Sequence, residues 1–380
     1  MKLLHTSDLH VGKRVNEYSM IEDQKYILNV ILEIVDDEKP DCVIIAGDVY
    51  DKSVPSAEAV VLFDGFISGL CARGVQVCLI SGNHDSAERV SFGASLMKES
   101  GLWISPIYAG EITPLMLSDK YGEVAIYPVP FLKPVQVGRF SESQPESYTD
   151  AMCEVVKSLN LDPVRRNVMV AHQFVTGASR TESEEISVGG CDNVDASVFA
   201  EFDYTALGHI HRAQSCTNER IRYSGSPLKY SFSEVNDKKS VSIIELFEKG
   251  NVTVRERELI PLRDMKKIRG SYSELMARSF YEGTSYRQDY VHITLTDEED
   301  VPDAVAKLRV VYENLMRLEY DNTRTRSSAL VEELSPSERK SPEELFSDFY
   351  EAQNGRAPSE EQLEFLRELI GVIWEGEDEK

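Results

Sequence analysis

Short β-branched runs alternate with stretches of helical period over the first ~260 residues, the pattern of an α/β fold with buried sheets. Leu3-Leu4-His5-Thr6 reads as a strand that ends just before Asp8. Ile21, Ile27, Leu28, Ile31 and Val35 place a helix over residues 20–37. The next strand, Asp41 to Ala46, runs into Gly47-Asp48, and a helix follows over 56–72. Val75 to Ile80 forms a further strand, ended by Gly82-Asn83-His84-Asp85. Later strands are predicted at 123–129, 167–172, 204–208, 220–224, 240–247 and 251–258, the last four as antiparallel neighbours. The expected architecture is two packed β-sheets flanked by helices.

The pattern changes near Pro261. Residues 262–320 suggest a small α+β capping domain of β-α-β-α-β order, with Tyr290 to Leu295 as its clearest strand. Residues 321–340 form a polar linker rich in Ser, Thr and Arg. A C-terminal helical pair over 341–374 follows. Its first helix opens at Ser341-Pro342-Glu343-Glu344, a capping box with proline at the first helical position. The second opens at Ser359 with Gln362 three residues on.

Charge complicates any role with nucleic acid. The net charge is −24, which opposes non-specific binding to a phosphate backbone. Part of it is local, because 330–380 carry fifteen Asp/Glu against five Lys/Arg, a net of −10 that leaves −14 for 1–329. Bound divalent cations reverse the sign of the field within a site, so a phosphodiester substrate stays open. No apolar run approaches the ~20 residues of a membrane span. The six cysteines include no Cys-x-x-Cys pair and read as reduced thiols. A cytoplasmic chain without membrane association is expected.

Candidate chemistry sits in five places: Asp8-x-His10, Gly47-Asp48-x-x-Asp51, Gly82-Asn83-His84-Asp85, Ala171-His172 and Gly208-His209-x-His211. Four directly follow a predicted strand and His172 ends another, where open α/β sheets place ligand-binding groups. All histidines but His5 and His292 fall in these motifs. Asp, Asn and His are the oxygen and nitrogen donors that suit Mn²⁺, Fe²⁺ or Zn²⁺. Each motif alone is weak, since Gly-Asp is commonly a turn and a strand-end histidine is commonly structural. Their joint occurrence points to a dinuclear centre.

This ordered set resembles the calcineurin-like metallophosphoesterase superfamily, whose motifs are Asp-x-His, Gly-Asp, Gly-Asn-His-Asp/Glu, His and Gly-His-x-His. Within it, Asn83 to Arg89 and the stretch Tyr223 to Glu234 resemble the SbcD family of bacterial nuclease subunits. The resemblance implies one ion held by Asp8, His10, Asp48 and His211, and a second by Asp48, Asn83, His172 and His209, with Asp48 bridging. The two divalent metal ions would be Mn²⁺ and would serve two-metal phosphodiester hydrolysis. It casts His84 as the acid that protonates the leaving oxygen, oriented by Asp85 and Asp51. The implied activity is a DNA nuclease, both double-strand exonuclease and single-strand or hairpin endonuclease. The implied partners are an SbcC-type coiled-coil ATPase and a second copy, a homodimer within a heterotetramer. A small-molecule phosphodiesterase of the same superfamily is the alternative, and a metal-free scaffold the non-enzymatic one.

Weaker candidates remain. Tyr223 to Tyr230 is either a substrate contact or a turn built on Gly225-Ser226-Pro227. Lys13, Arg14 and the basic start Arg263, Lys266, Lys267, Arg269 are phosphate contacts or solvated charges. Helix 56–72 docks by Val60, Phe63, Ile67, Leu70 and Cys71, leaving Val61, Leu62 and Phe66 as excess apolar width for a homodimer. Leu345, Phe346 and Phe349, then Leu363, Leu366, Ile370 and Ile373, give the tail an apolar face for the ATPase.

Overall fold

The computed structural model describes residues 1–141, 144–179, 192–323, 325, 346–348, 350–351, 357–360 and 362–366. The chain divides into two compact units, Met1–Met265 and Lys266–Lys380. In chain order the first unit carries β1 (Lys2–Thr6), α1 (Ile21–Glu38), β2 (Cys42–Ala46), α2 (Ala57–Ala72), β3 (Gln76–Ile80), β4 (Leu102–Ile104), β5 (Leu115–Asp119), β6 (Gly122–Pro128), α3 (Tyr148–Ser158), β7 (Arg166–His172), β8 (Tyr204–Gly208), β9 (Gln214–Cys216), β10 (Asn218–Tyr223), β11 (Ser240–Leu246) and β12 (Val252–Glu258).

These strands make two six-stranded sheets, ordered β12-β11-β1-β2-β3-β4 and β9-β10-β8-β7-β6-β5. β1, β2, β3 and β4 run parallel, as do β6, β7, β8 and β10. Parallel strands are covered on both faces, which is why β2 and β7 are buried at every position, β2 reading as a continuous apolar run and β7 as one over 168–171. Leu3, Ile44, Ala46 and Ile244 of one sheet meet Ile126, Val168, Val170 and Tyr204 of the other in the central core. A second core on the far side of the β9–β5 sheet gathers Met152 and Val155 of α3 with Phe199 and Phe202.

The expected antiparallel run of four strands is corrected. Of those four, only β11 and β12 pair that way, whereas β10 lies parallel to β8 and in the other sheet from β11. The cause is β9, a three-residue strand that takes the return direction and lets β10 insert beside β8. Three residues leave no readable apolar alternation.

Helix α2 is also rotated from expectation. Ala59, Phe63, Phe66, Ile67 and Leu70 are buried, while Val60 faces outward at 42% exposure and Val61 at 70%. Phe66 thus belongs to the core, and the excess apolar surface is Val60 and Val61. The C-terminal end of α1 is tied to the edge strand β12 through Glu38. Its carboxylate takes bonds from Arg255 Nη1 at 2.9 Å and Arg257 Nη1 at 2.7 Å, and its pKa is drawn down to about 2, first by the Arg255 hydrogen bond.

In the second unit β13 (Met265–Gly270), β14 (Tyr290–Leu295) and β15 (Leu315–Tyr320) form one sheet in that order, with α4 (Ala304–Arg309) between the last two. Two four-residue helices, Tyr272–Leu275 and Arg278–Tyr281, stand between the first two strands where one helix was expected, and the core gathers Leu275, Val291, Ile293, Leu308 and Tyr312. Arg269 is bound to Asp321, and in the first unit Arg263 is bound to Glu22, so these members of the basic start are neutralised. At the second tail helix Ser359 N donates to Gln362 Oε1 at 2.9 Å and Gln362 N to Ser359 Oγ at 3.4 Å, the reciprocal cap the sequence indicates. Leu345, Phe349, Ile370, Ile373 and nearly all of the 321–340 linker lie outside the described residues. Among the described residues no helix is long and apolar enough to cross a membrane.

Candidate metal centre

The five motifs meet where β1, β2, β3, β7 and β8 end, at the carboxyl edges of parallel strands in both sheets. Four of the residues concerned reach the centre by leaving their strands in a backbone conformation that L-residues rarely adopt. Asp8, His10, Asp48 and His209 have φ of 53°, 43°, 47° and 102°. Each such residue costs of order 1–3 kcal/mol, and their clustering marks a place where conformation is held for chemistry. Two glycines make the approach possible. A Cβ on Gly208 would fall 1.9 Å from the Ala46 carbonyl oxygen, and one on Gly82 would fall 2.1 Å from Asp48 Oδ1.

All seven residues expected as ligands converge. His10 Nε2 and His211 Nε2 lie 3.1 Å apart, and with an oxygen of Asp8 they form a group whose donor atoms are all within 4.8 Å of one another. Asn83 Oδ1 lies 3.0 Å from both His172 Nε2 and His209 Nδ1. Asp48 joins the two halves, with Oδ2 at 3.2 Å from His172 Nε2 and 3.6 Å from His10 Nε2. Asp8, His10, Asp48, His172, His209 and His211 are all buried. Ring nitrogens of different histidines facing each other this closely suit a shared cation, because at most one of the two can donate to the other. The donor set and its arrangement fit a pair of divalent ions.

Electrostatics among these donors are those of opposed charges crowded in low dielectric. Burial raises the Asp8 carboxyl, with Asp48 adding to the effect. Burial also works against charge on Asp48, but His172, His10 and His84 outweigh it and hold the carboxyl well below its usual range. His172 is correspondingly raised to about 9 although burial opposes it, because Asp48 and Asp8 face the ring. Its Nδ1 contacts the Ala46 carbonyl at 2.8 Å, which leaves Nε2 as the inward donor.

His84 is half-buried at the rim. Its amide donates to Asp48 Oδ1 at 3.0 Å and its Nδ1 contacts the backbone oxygen of Asp51 at 3.2 Å. A ring nitrogen of His84 also lies within 4.8 Å of a donor atom on each of His10 and Asp48. The carboxylate of Asp85 meets other partners, accepting from the amides of Gly82, Val49 and Tyr50 at 2.9, 3.0 and 2.9 Å. It therefore clamps the loops after β2 and β3 together. Its pKa rises to about 6 through burial and the neighbouring Asp48, against those three amides. The Asp51 carboxylate pairs with Lys13 at 2.7 Å and lies 3.8 Å from His10 Nδ1.

The stretch weighed as a substrate contact faces inward. Tyr223, Ser224, Ser226, Leu228 and Tyr230 are buried. Tyr223 donates to the Gln173 carbonyl and accepts from the Val175 amide, both at 2.7 Å. Tyr230 donates to the Leu9 carbonyl at 2.6 Å, bracing the segment between Asp8 and His10. Two supporting residues escaped sequence reasoning. Ser7 donates to Asp8 Oδ2, and buried Glu234 lies beside His211, with Oε1 3.7 Å from Nδ1. In sequence Glu234 enters only as the last residue of the SbcD-like stretch that begins at Tyr223.

Residues 1–213 match the family described as calcineurin-like phosphoesterase, and the fold with its centre defines the chain as a metal-dependent phosphoesterase of that class. Residues 261–354 match the family described as type 5 capsule protein repressor C-terminal domain. The SbcD component of the nuclease SbcCD from Staphylococcus epidermidis is 30% identical over 385 residues, covering 99% of this chain and 100% of that protein. Its counterpart from Staphylococcus saprophyticus is 30% identical over 380 residues, covering 99% of each. The chain belongs to the SbcD family of SbcCD nuclease components. Among solved structures, a dimetal phosphatase from Danio rerio covers 68% of this chain and 96% of its own at 12% identity and a TM-score of 0.39.

Proposed function

We propose that this chain is the nuclease component of an SbcCD-type DNA repair complex, hydrolysing DNA phosphodiesters at a two-metal centre loaded with Mn²⁺. The observation that carries the reading is Asp48, whose Oδ2 lies between the His10–His211 half and the Asn83–His172–His209 half of the donor set. Asp8, His10, Asp48 and His211 would hold one ion, and Asp48, Asn83, His172 and His209 the other. Ions bound there would supply charge neutralisation at the phosphoryl oxygens and an activated water.

The remaining roles belong to the chain itself. His84, its Nδ1 engaged by the Asp51 carbonyl, presents Nε2 to the departing sugar oxygen as general acid. Asp51 and Asp85 act by support, the first through that carbonyl and the second by clamping the loops that carry Asp48 and Asn83. Double-strand exonuclease and single-strand or hairpin endonuclease activity are the expected reactions. The chain works in the cytoplasm, as a homodimer joined near α2, where Val60 and Val61 are exposed. The helical pair 341–374 docks the coiled-coil ATPase.

Mn²⁺-loaded protein assayed on DNA and on a nitrophenyl phosphodiester tests the activity. DNA cleavage supports the reading, and hydrolysis of the small ester without DNA cleavage replaces it with a small-molecule phosphodiesterase. Light scattering at micromolar concentration should give a dimer mass that Val61→Glu halves. Truncation at Lys340 should abolish ATPase binding without changing metal content.

A further inference from the structure

Behind the centre, the far side of the His211 ring meets an ion pair with almost no contact to solvent. Glu234 is 0% exposed and Lys239 6% exposed. Lys239 Nζ lies 2.5 Å from Glu234 Oε2 and also donates to Ser226 Oγ at 2.9 Å and to the His211 carbonyl at 2.8 Å. The Ser226 amide reaches the same carbonyl at 3.1 Å. The other carboxylate oxygen of Glu234 accepts from the Tyr230 amide at 3.3 Å and stands 3.7 Å from His211 Nδ1. On the opposite edge of that ring, Nε2 faces His10 Nε2 at 3.1 Å.

Removing two charges from water carries a desolvation penalty that their attraction seldom exceeds, so such a pair is a poor device for stability. Its placement has a better account. A ligating histidine commonly gives its second ring N–H to a carboxylate, which fixes tautomer and ring orientation. Glu234 Oε1 stands 3.7 Å from His211 Nδ1, and a shift of under ~1 Å brings the two to hydrogen-bond length. Lys239 holds the carboxylate on one side and the backbone of His211 on the other, so ring and main chain are referred to one anchor.

We propose that Glu234, anchored by Lys239, is a positioning residue of the metal centre: it accepts the Nδ1 proton of His211 and thereby presents Nε2 as the ligand atom. This rests on the reading of His211 as a metal ligand.

The test is Mn²⁺ binding to the full chain by calorimetry, with thermal stability measured alongside. Glu234→Gln should weaken one of the two sites by about 10–100-fold and leave the other unchanged. Glu234→Gln/Lys239→Met, which leaves no unpaired buried charge, should show the same loss. In a His211→Ala background Glu234→Gln should add nothing. Wild-type affinity in a folded Glu234→Gln chain overturns the proposal, as does an equal further loss on top of His211→Ala. Two wild-type sites in His211→Ala alone remove the ligand reading itself and the proposal with it. The unmodified chain gives a test that needs no variant: ¹⁵N resonances of His211 in the zinc-loaded protein should show Nδ1 protonated, and a protonated Nε2 overturns the assignment.

Discussion

The backbone amide of His84 donates to Oδ1 of Asp48 at 3.0 Å. The link runs through main chain, so the His84 side chain can be exchanged without disturbing the carboxylate that joins the two halves of the centre. His84→Gln should therefore retain both metal ions and lose about 10²–10⁴-fold in DNA cleavage, the usual worth of a general acid. Asp48→Asn should lose metal and activity together. Metal content by mass spectrometry beside single-turnover cleavage separates the two, and cleavage within about threefold of wild type in His84→Gln would remove the acid role.

Gly82 makes a sharper test of the geometry because it carries no chemistry. The Cβ of Gly82→Ala would lie 2.1 Å from Asp48 Oδ1 and 2.4 Å from its amide nitrogen, so the loop or the carboxylate must yield. The expected result is loss of stoichiometric metal with a destabilisation of about 1–3 kcal/mol. Two tightly bound ions in the folded variant would contradict the arrangement.

Tyr223 distinguishes support from substrate contact. Its hydroxyl joins Gln173 and Val175 at 2.7 Å each and is fully buried. Tyr223→Phe should lower unfolding free energy by about 1–2 kcal/mol while KM for DNA stays unchanged. A raised KM at unaltered stability would restore the contact role.

Glu38 gives a pH-dependent prediction whose sign is fixed by its depressed pKa. Its native pKa is about 2, against 4.5 ordinarily. Its stabilising contribution is therefore complete above about pH 4.5 and is lost as pH falls toward 2. Arg255 and Arg257 reach solvent, so the effect is modest. Glu38→Gln should cost about 1 kcal/mol at pH 7, and the difference from wild type should close between about pH 4.5 and 2. Urea titrations of the metal-free chain measure it, and a difference that widens in acid would refute the assignment.

The metal-ligand candidates were legible because chemistry selects identity: Asp8, His10, Asp48, Asn83, His172, His209 and His211 are residue types with few other reasons to follow strand after strand. β2 and the 168–171 stretch of β7 were legible because burial on both faces leaves an unbroken apolar run. Short elements were not. β9 carries three residues with no alternation, and missing it reversed the inferred direction of β10. The face of α2 was misjudged because nearly every side of it is apolar, and Val60 and Phe66 differ in burial only through what packs above them. Glu234 escaped because a carboxylate that serves another residue leaves no trace in spacing. Asp51 meets His84 through its backbone carbonyl and Asp85 meets backbone amides, contacts that sequence does not encode.

The position of β1 has a consequence for how the protein is made. This strand, which delivers Asp8 and His10, is flanked by β2 on one side and by β11, residues Ser240–Leu246, on the other. Chains emerge from the ribosome N-terminus first, so Asp8 and His10 are made before β11. Their strand gains its second neighbour only about 230 residues later, when Ser240–Leu246 follows. Strand order therefore ties the alignment of the earliest donors to synthesis of a strand distant from them along the chain.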